Sequence, residues 1–194
     1  GAHKAGVFFG QKEAVNMHIE LKKWALEDRE RLTALCNSTD RTYLSNRIPF
    51  PYTETDADWW LGKAQEHEGA DGIFRAVTVD GQIVGNISVE QKGDVYCKDA
   101  EIGYLLDTEH WSKGIMSEAV RQICEIAFKK LDIIRITGLV YEPNRGSRRV
   151  LEKNGFALEG IMKQAVTKGE NTYDLCIYGK GKKNPVCKED DSFV

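Results

Sequence analysis

The five cysteines of this 194-residue sequence (36, 97, 124, 176 and 187) include no C-x-x-C pair, and their number is odd. Neither a disulfide framework nor a zinc site is suggested. The four histidines (3, 18, 67 and 110) are too scattered to form a metal constellation, so no metal is expected. His67 and His110 read as solvent-facing. A P-loop G-x-x-x-x-G-K-S/T and a G-x-G-x-x-G are both missing, which makes nucleotide hydrolysis and dinucleotide binding poor readings. No basic excess exists either: the net charge is -3, unlike a dedicated nucleic-acid binder. No apolar run is long enough to span a bilayer, and no charged-then-apolar signal segment precedes the first element. The cytoplasm is therefore the simplest location, with no membrane or nucleic-acid partner expected.

What is present is the length and composition of one ordinary α+β domain. Residues 1–16 read as a leader, in part an expression remnant, residues 17–180 as a single domain, and residues 181–194 as a mobile polar tail that loses its period from Gly179. His18 to Trp24 alternates like a half-buried strand, and Leu26 to Asn37 reads as a helix with Leu32 and Leu35 inward. The proline-rich loop Arg47–Tyr52 suits either its own core or a substrate mouth. Thr55 or Asp56 is expected to cap a helix over Ala57 to His67. Asp80-Gly81 between two apolar runs (Ile73–Val79 and Gln82–Gln91) signals a tight hairpin.

The stretch Trp111 to Ala119 organises the chain. A strand over Glu101–Leu106 precedes it. Apolar residues at 116, 120, 123, 124, 127, 128 and 131 then mark one face of a helix. A glycine just before a helix brings the backbone close to a ligand, and the unpaired amides of the first turn suit a phosphate. Lys113 adds positive charge. The bland alternative is a turn and nothing more. Ile133 to Tyr141 is β-branched and should be an interior strand. Asn144 looks like a helix cap, with Val150 and Leu151 facing the core, and Asn154-Gly155 ends that helix. Two strands, Phe156–Met162 and Thr172–Tyr178, flank a turn at Lys168–Asn171.

The strand, glycine loop and helix at 101–130, followed by Asn144 to Phe156, together resemble the GCN5-related N-acetyltransferase (GNAT) superfamily. The likeness is to the subgroup of ribosomal-protein-alanine N-acetyltransferases. It implies a mixed α/β acyltransferase fold whose central, mostly antiparallel sheet splays between its middle strands, with helices on both faces. The family loop pattern Q/R-x-x-G-x-G/A places Trp111, Gly114 and Met116, Met116 being bulkier than usual. By resemblance, amides across Trp111, Ser112, Lys113, Gly114, Ile115, Met116 and Ser117 hold the phosphates of acetyl-CoA. The main chain at Tyr104, Leu105 and Leu106 pairs with the pantetheine arm, and Asn144 contacts that arm. Lys153 with Arg148 or Arg149 either reaches the adenine-side phosphates or stays solvated.

The resemblance also shows what this chain lacks. Many relatives donate a proton to the leaving thiolate from a tyrosine four residues before the glycine of the G-F pair, and that place is Leu151 here. Ser147, three residues after Asn144, is the substitute expected in this subgroup. Glu101 occupies the place of a catalytic glutamate in histone-type members, with Glu142, Glu159 and water as other proton acceptors. Val166 stands where ribosomal-type members carry a further acid. The expected activity is direct acetyl transfer to a primary amine: a protein N-terminus, a polyamine, an amino sugar or another small amine. Glu54, Asp56 and Asp58 would favour a cationic acceptor if they lay at the mouth. The alternatives are a coenzyme-A-binding module without turnover and a plain interaction domain. An exposed strand or the aromatic loop at 48–60 leaves room for a homodimer.

Overall fold

The computed structural model describes residues 16–183, so most of the expected leader and tail lie outside the described residues. In chain order, β1 (Ile19–Lys23) leads to α1 (Arg29–Ser38) and α2 (Glu54–His67). Next come β2 (Gly72–Val79), β3 (Gln82–Gln91), β4 (Asp99–Leu106), α3 (Ile115–Lys130) and β5 (Arg135–Tyr141). Then follow α4 (Arg145–Lys153), β6 (Ala157–Lys168) and β7 (Asn171–Gly181). β7 therefore continues past Gly179, where the sequence loses its period. Backbone pairing with Thr137 and Arg135 of β5 holds Gly179 and Gly181 in place without any side-chain pattern. β6 likewise extends well beyond Met162.

The strands form one sheet in the order β1-β2-β3-β4-β5-β7-β6. Every neighbouring pair is antiparallel except β4 with β5. That pair flanks α3, and a parallel pair needs such a helical crossover. Asp80 and Gly81 both have positive φ (48° and 81°), which makes the β2–β3 connection the tight turn that Asp-Gly favours. The cap of α2 is Thr53, not Thr55 or Asp56. Its hydroxyl accepts from the Asp56 amide at 3.2 Å while the Asp56 carboxylate accepts from the Thr53 amide at 2.8 Å, a reciprocal capping box.

Each face of the sheet has its own core. Ile115, Met116, Ala119, Val120, Ile123, Cys124 and Ala127 of α3 are buried against Ile87, Val89, Ile102 and Leu106. On the other face α1 and α2 bury Leu32, Leu35, Ala57 and Leu61 together with Tyr52 and Leu105. Leu105 and Leu106, adjacent on β4, thus enter opposite cores, as strand alternation requires. The proline-rich loop packs on the second core: Tyr52 is buried, and its backbone exchanges two 2.8 Å hydrogen bonds with the Asn37 amide group.

Gly85 shows how tightly the central strands approach. A Cβ there would stand 2.7 Å from the Leu105 carbonyl oxygen, a backbone atom that cannot swing aside. Overpacking of this kind costs about 1–3 kcal/mol. Gly85→Ala is expected to lower the urea midpoint by that equivalent without changing the slope.

Candidate active site

β4 and β5 pair for four residues only, from Asp99↔Arg135 to Ile102↔Gly138. Beyond that point β4 stays with β3 as far as Leu106↔Gly85, and β5 stays with β7 as far as Tyr141↔Leu175. The unpaired ends fork. The fork opens into a cleft of ≈ 830 Å³, within the usual range for small-molecule sites. Tyr104, Leu105 and Leu106 form one wall, and Gly138, Leu139, Val140 and Tyr141 form the other.

The Asp107 amide donates to Val84 of β3 at 2.8 Å. Alternation therefore turns the backbone groups of Tyr104 and Leu106 the other way, into the cleft. One of those groups is already occupied. The Leu106 carbonyl accepts from the Thr39 hydroxyl at 3.1 Å and from the Trp111 indole N–H at 3.0 Å, which uses both of its lone pairs. The Tyr104 carbonyl and the two amides are left for a ligand. The fit to a pantetheine arm is thus narrower than the sequence suggested. Leu105 contributes differently, since its side chain belongs to the α1–α2 core.

At one end of the cleft the chain enters α3. Ser112 (φ 60°) and Gly114 (φ 78°) are both left-handed, a backbone hollow of the type that anions occupy. Gly114 is the N-cap and no side chain caps the helix, so the first-turn amides keep their donors. Ser112, Gly114, Ile115, Met116 and Ser117 line the cleft with Trp111, but Lys113 does not. From α4, Arg145, Arg149 and Lys153 supply positive charge to this cleft. Arg148 does not. Its guanidinium donates to the Tyr178 hydroxyl at 2.9 Å and pairs with Glu142 at 3.2 Å, so it is a structural residue.

Asn144 caps α4 through its side-chain oxygen, which accepts from the Ser147 amide at 3.2 Å. Its carbonyl accepts from the Arg148 amide at 3.1 Å, which leaves its side-chain Nδ2 group for a ligand. Ser147 sits in the first turn of α4, its Oγ 2.6 Å from the Tyr104 hydroxyl. Leu151 is 1% exposed, packed so close under Gly138 that a Cβ there would be 2.7 Å from Leu151 Cδ1. The place of the usual tyrosine is therefore packing.

Glu101 does not join this group. It lies on the paired half of β4, opposite Glu90 and Thr137, and does not line the cleft. Alternation puts it on the α1–α2 face, whereas Tyr104 reaches α4 on the other. Glu159 is engaged by Arg135 at 2.6 Å, and Glu142 by Arg148. Glu54, Asp56 and Asp58 are also absent from the cleft lining. Glu54 and Asp58 pair with Arg29, and Asp56 serves the capping box.

Several lining residues carried no local signal. Thr39, Asp40, Thr42, Tyr43 and Leu44 follow α1 and line the cleft, with the Thr39 hydroxyl on the Leu106 carbonyl and the Asp40 amide on the Thr108 hydroxyl beside the loop before α3. Tyr43 packs edge-on against Tyr141 and Tyr173, whose rings stack with centroids 5.8 Å apart. Asp40 is the acid in the lining, and hydrogen bonds from Thr42 hold its carboxyl below the usual range. His110 is half-buried in the lining, its Nδ1 enclosed without a partner, not solvent-facing as its loop position suggested. Burial pushes the Cys36 and Cys124 thiols up to about 11, so neither is a thiolate near neutrality.

Comparison with known proteins agrees with this geometry. Residues 18–157 match the model of the acetyltransferase (GNAT) domain. The probable N-acetyltransferase YjcK of Bacillus subtilis is 45% identical over 95 residues, 49% of this chain and 51% of that protein, so the match spans about half of that relative. The putative ribosomal N-acetyltransferase YdaF of Bacillus subtilis is 29% identical over 169 residues, 84% of this chain and 91% of that protein. Among solved structures, a ribosomal L7/L12 α-N-protein acetyltransferase in complex with coenzyme A superposes with a TM-score of 0.74 at 22% identity. That match covers 84% of this chain and 93% of the other, a likeness of fold. With the forked sheet, the uncapped helix start and the matched domain in agreement, this chain belongs to the GNAT acetyltransferase family.

Proposed function

We propose that this protein transfers the acetyl group of acetyl-CoA directly to a primary amine, without a covalent enzyme intermediate. The observation that carries this reading is the fork itself. Strand edges with free amides lead from an anion-binding helix start to a hydroxyl, Ser147, at the first turn of the next helix. Diphosphate charge suits the donors at the start of α3 together with Arg145, Arg149 and Lys153. Amides of an extended arm suit the open edge of β4. Acetyl-CoA supplies the activated acyl group.

The chain's own residues then have separate tasks. The amides of Tyr104 and Leu106 orient the thioester and offer donors to a developing oxyanion. The Ser147 hydroxyl donates a hydrogen bond to the departing sulfur. Glu101 takes the amine proton through water, since it stands on the α1–α2 face and not in the cleft. Raised thiol pKa values at Cys36 and Cys124 disfavour an acyl-cysteine route. The acceptor enters past the segment 39–44, where Asp40 and the Tyr43–Tyr141–Tyr173 cluster stand. The ribosomal-protein acetyltransferases among its relatives put protein N-termini first in the panel, followed by polyamines, amino sugars and other small amines. A cytoplasmic location fits this reading, and no helix among the described residues is long and apolar enough to cross a membrane.

Thiol release from acetyl-CoA against that panel tests the reading. Turnover with an amine supports it; tight coenzyme binding with no turnover on any acceptor favours a binding module instead. Gly114→Val forces a β-branched residue into φ 78°, at a cost of about 1–2 kcal/mol. Calorimetry is expected to show the Kd for coenzyme A rising about tenfold or more. Ser147→Ala is expected to lower kcat by about ten- to a hundredfold, and Glu101→Gln to lower kcat/KM for the amine while coenzyme affinity holds. An unchanged rate in Glu101→Gln removes Glu101 from the mechanism.

A further inference from the structure

We propose that the phenol of Tyr104 is a positioning residue that directs the Ser147 hydroxyl at the leaving sulfur, replacing the tyrosine that this chain lacks at position 151. The inference rests on the acetyl-transfer reading above and names a side chain in a site where only main-chain contacts were expected of Tyr104.

Three observations converge. The Tyr104 hydroxyl lies 2.6 Å from Ser147 Oγ and 3.3 Å from the Ser147 carbonyl oxygen, so one phenol stands against both oxygens of that residue. Tyr104 comes from β4 and Ser147 from α4, so the contact joins the two sides of the fork next to the cleft that both residues line. Leu151 meanwhile fills the space beneath Gly138 and can donate nothing. A phenol is thus supplied to the neighbourhood from the opposite strand.

The direction of the hydrogen bond decides the role. A serine hydroxyl has one hydrogen and two lone pairs. The phenol has a single hydrogen and two oxygens within reach, and that hydrogen is assigned to Ser147 Oγ, the nearer at 2.6 Å, over the carbonyl at 3.3 Å. One serine lone pair is then satisfied and the serine hydrogen stays free for sulfur. Burial raises the Tyr104 pKa far above the ordinary phenol range, with the Ser147 hydrogen bond opposing. Cys124 of α3 and Tyr178 of β7, the other titratable groups near it, raise it further. The phenol therefore stays neutral and remains a donor through alkaline pH. It passes on no proton. In the reaction the amine nitrogen bonds to the acyl carbon, the carbon–sulfur bond breaks, and the proton lost by the amine ends on sulfur. Ser147 stabilises the thiolate until then, and Tyr104 keeps Ser147 aimed.

The test is a double-mutant cycle in the full chain with Tyr104→Phe, Ser147→Ala and both together. Each is followed by kcat, KM for acetyl-CoA, coenzyme affinity by calorimetry, and thermal stability. Tyr104→Phe keeps the ring and removes only the hydroxyl. The expected result is a kcat about tenfold lower with KM and coenzyme Kd within about twofold, and a double variant no slower than Ser147→Ala alone. The kcat–pH profile of Tyr104→Phe should show a lower plateau with unmoved limbs, as a fixed donor requires. An active wild type with an unaffected Tyr104→Phe, or with losses that multiply in the double variant, overturns the positioning role alone. A wild type that binds coenzyme A but turns over no amine overturns the acetyl-transfer reading and this inference with it.

Discussion

The parting of β4 and β5 after four paired residues is the constraint on which the site depends. Each strand keeps its other neighbour, β3 in one case and β7 in the other, and sheet twist accumulates between them. Backbone donors and acceptors that a closed sheet would consume are thereby left facing a cleft. Buried peptide groups demand partners, so an open edge inside a protein is stable only if water or a ligand reaches it. A ligand with its own amides fits that demand. The fork also brings the first turns of α3 and α4 to the same cleft, because each helix begins just beyond one of the diverging strand ends.

Position 138 links the fold to the chemistry. Gly138 has no Cβ because Leu151 presses against it, and Leu151 occupies the place where a tyrosine would have supplied a phenol. Filling that space with an aliphatic side chain secures α4 on the sheet at the expense of a donor. Polar groups nearby are instead held by hydrogen bonds: Ser147 between the Asn144 cap and Tyr104, and the Leu106 carbonyl between Thr39 and Trp111. The last contact also ties the segment after α1 to the loop before α3 through one carbonyl oxygen.

What could be read from the sequence were features whose cause is local. Alternation gave β1, the apolar runs on either side of Asp80-Gly81 gave β2, β3 and their turn, and the apolar stripe from Met116 to Leu131 announced α3. Gly114 before that stripe marked the left-handed turn into α3, and Asn144 marked the start of α4. Errors also had local causes. Thr53 was overlooked as the cap of α2 because the reciprocal bond to Asp56 cannot be told apart from other Ser/Thr/Asp choices by spacing. β7 was ended three residues early, at Tyr178 and not Gly181, because glycine and lysine carry no period, although pairing with β5 holds them.

The amino-acid sequence by itself thus determined the family and the order of elements, since propensity, period and turn chemistry act over a few residues. Only the tertiary structure decided which side chains meet. It placed Tyr104 against Ser147, turned Arg148 away to Tyr178, set Glu101 on the opposite face, and brought Tyr43 to Tyr141 and Tyr173. These contacts join residues from separate elements, from 30 positions apart for Arg148 and Tyr178 to 43 for Tyr104 and Ser147, and farther still for Tyr43 and its partners. They depend on where the sheet forks and how the helices lie across it, and no local pattern encodes that.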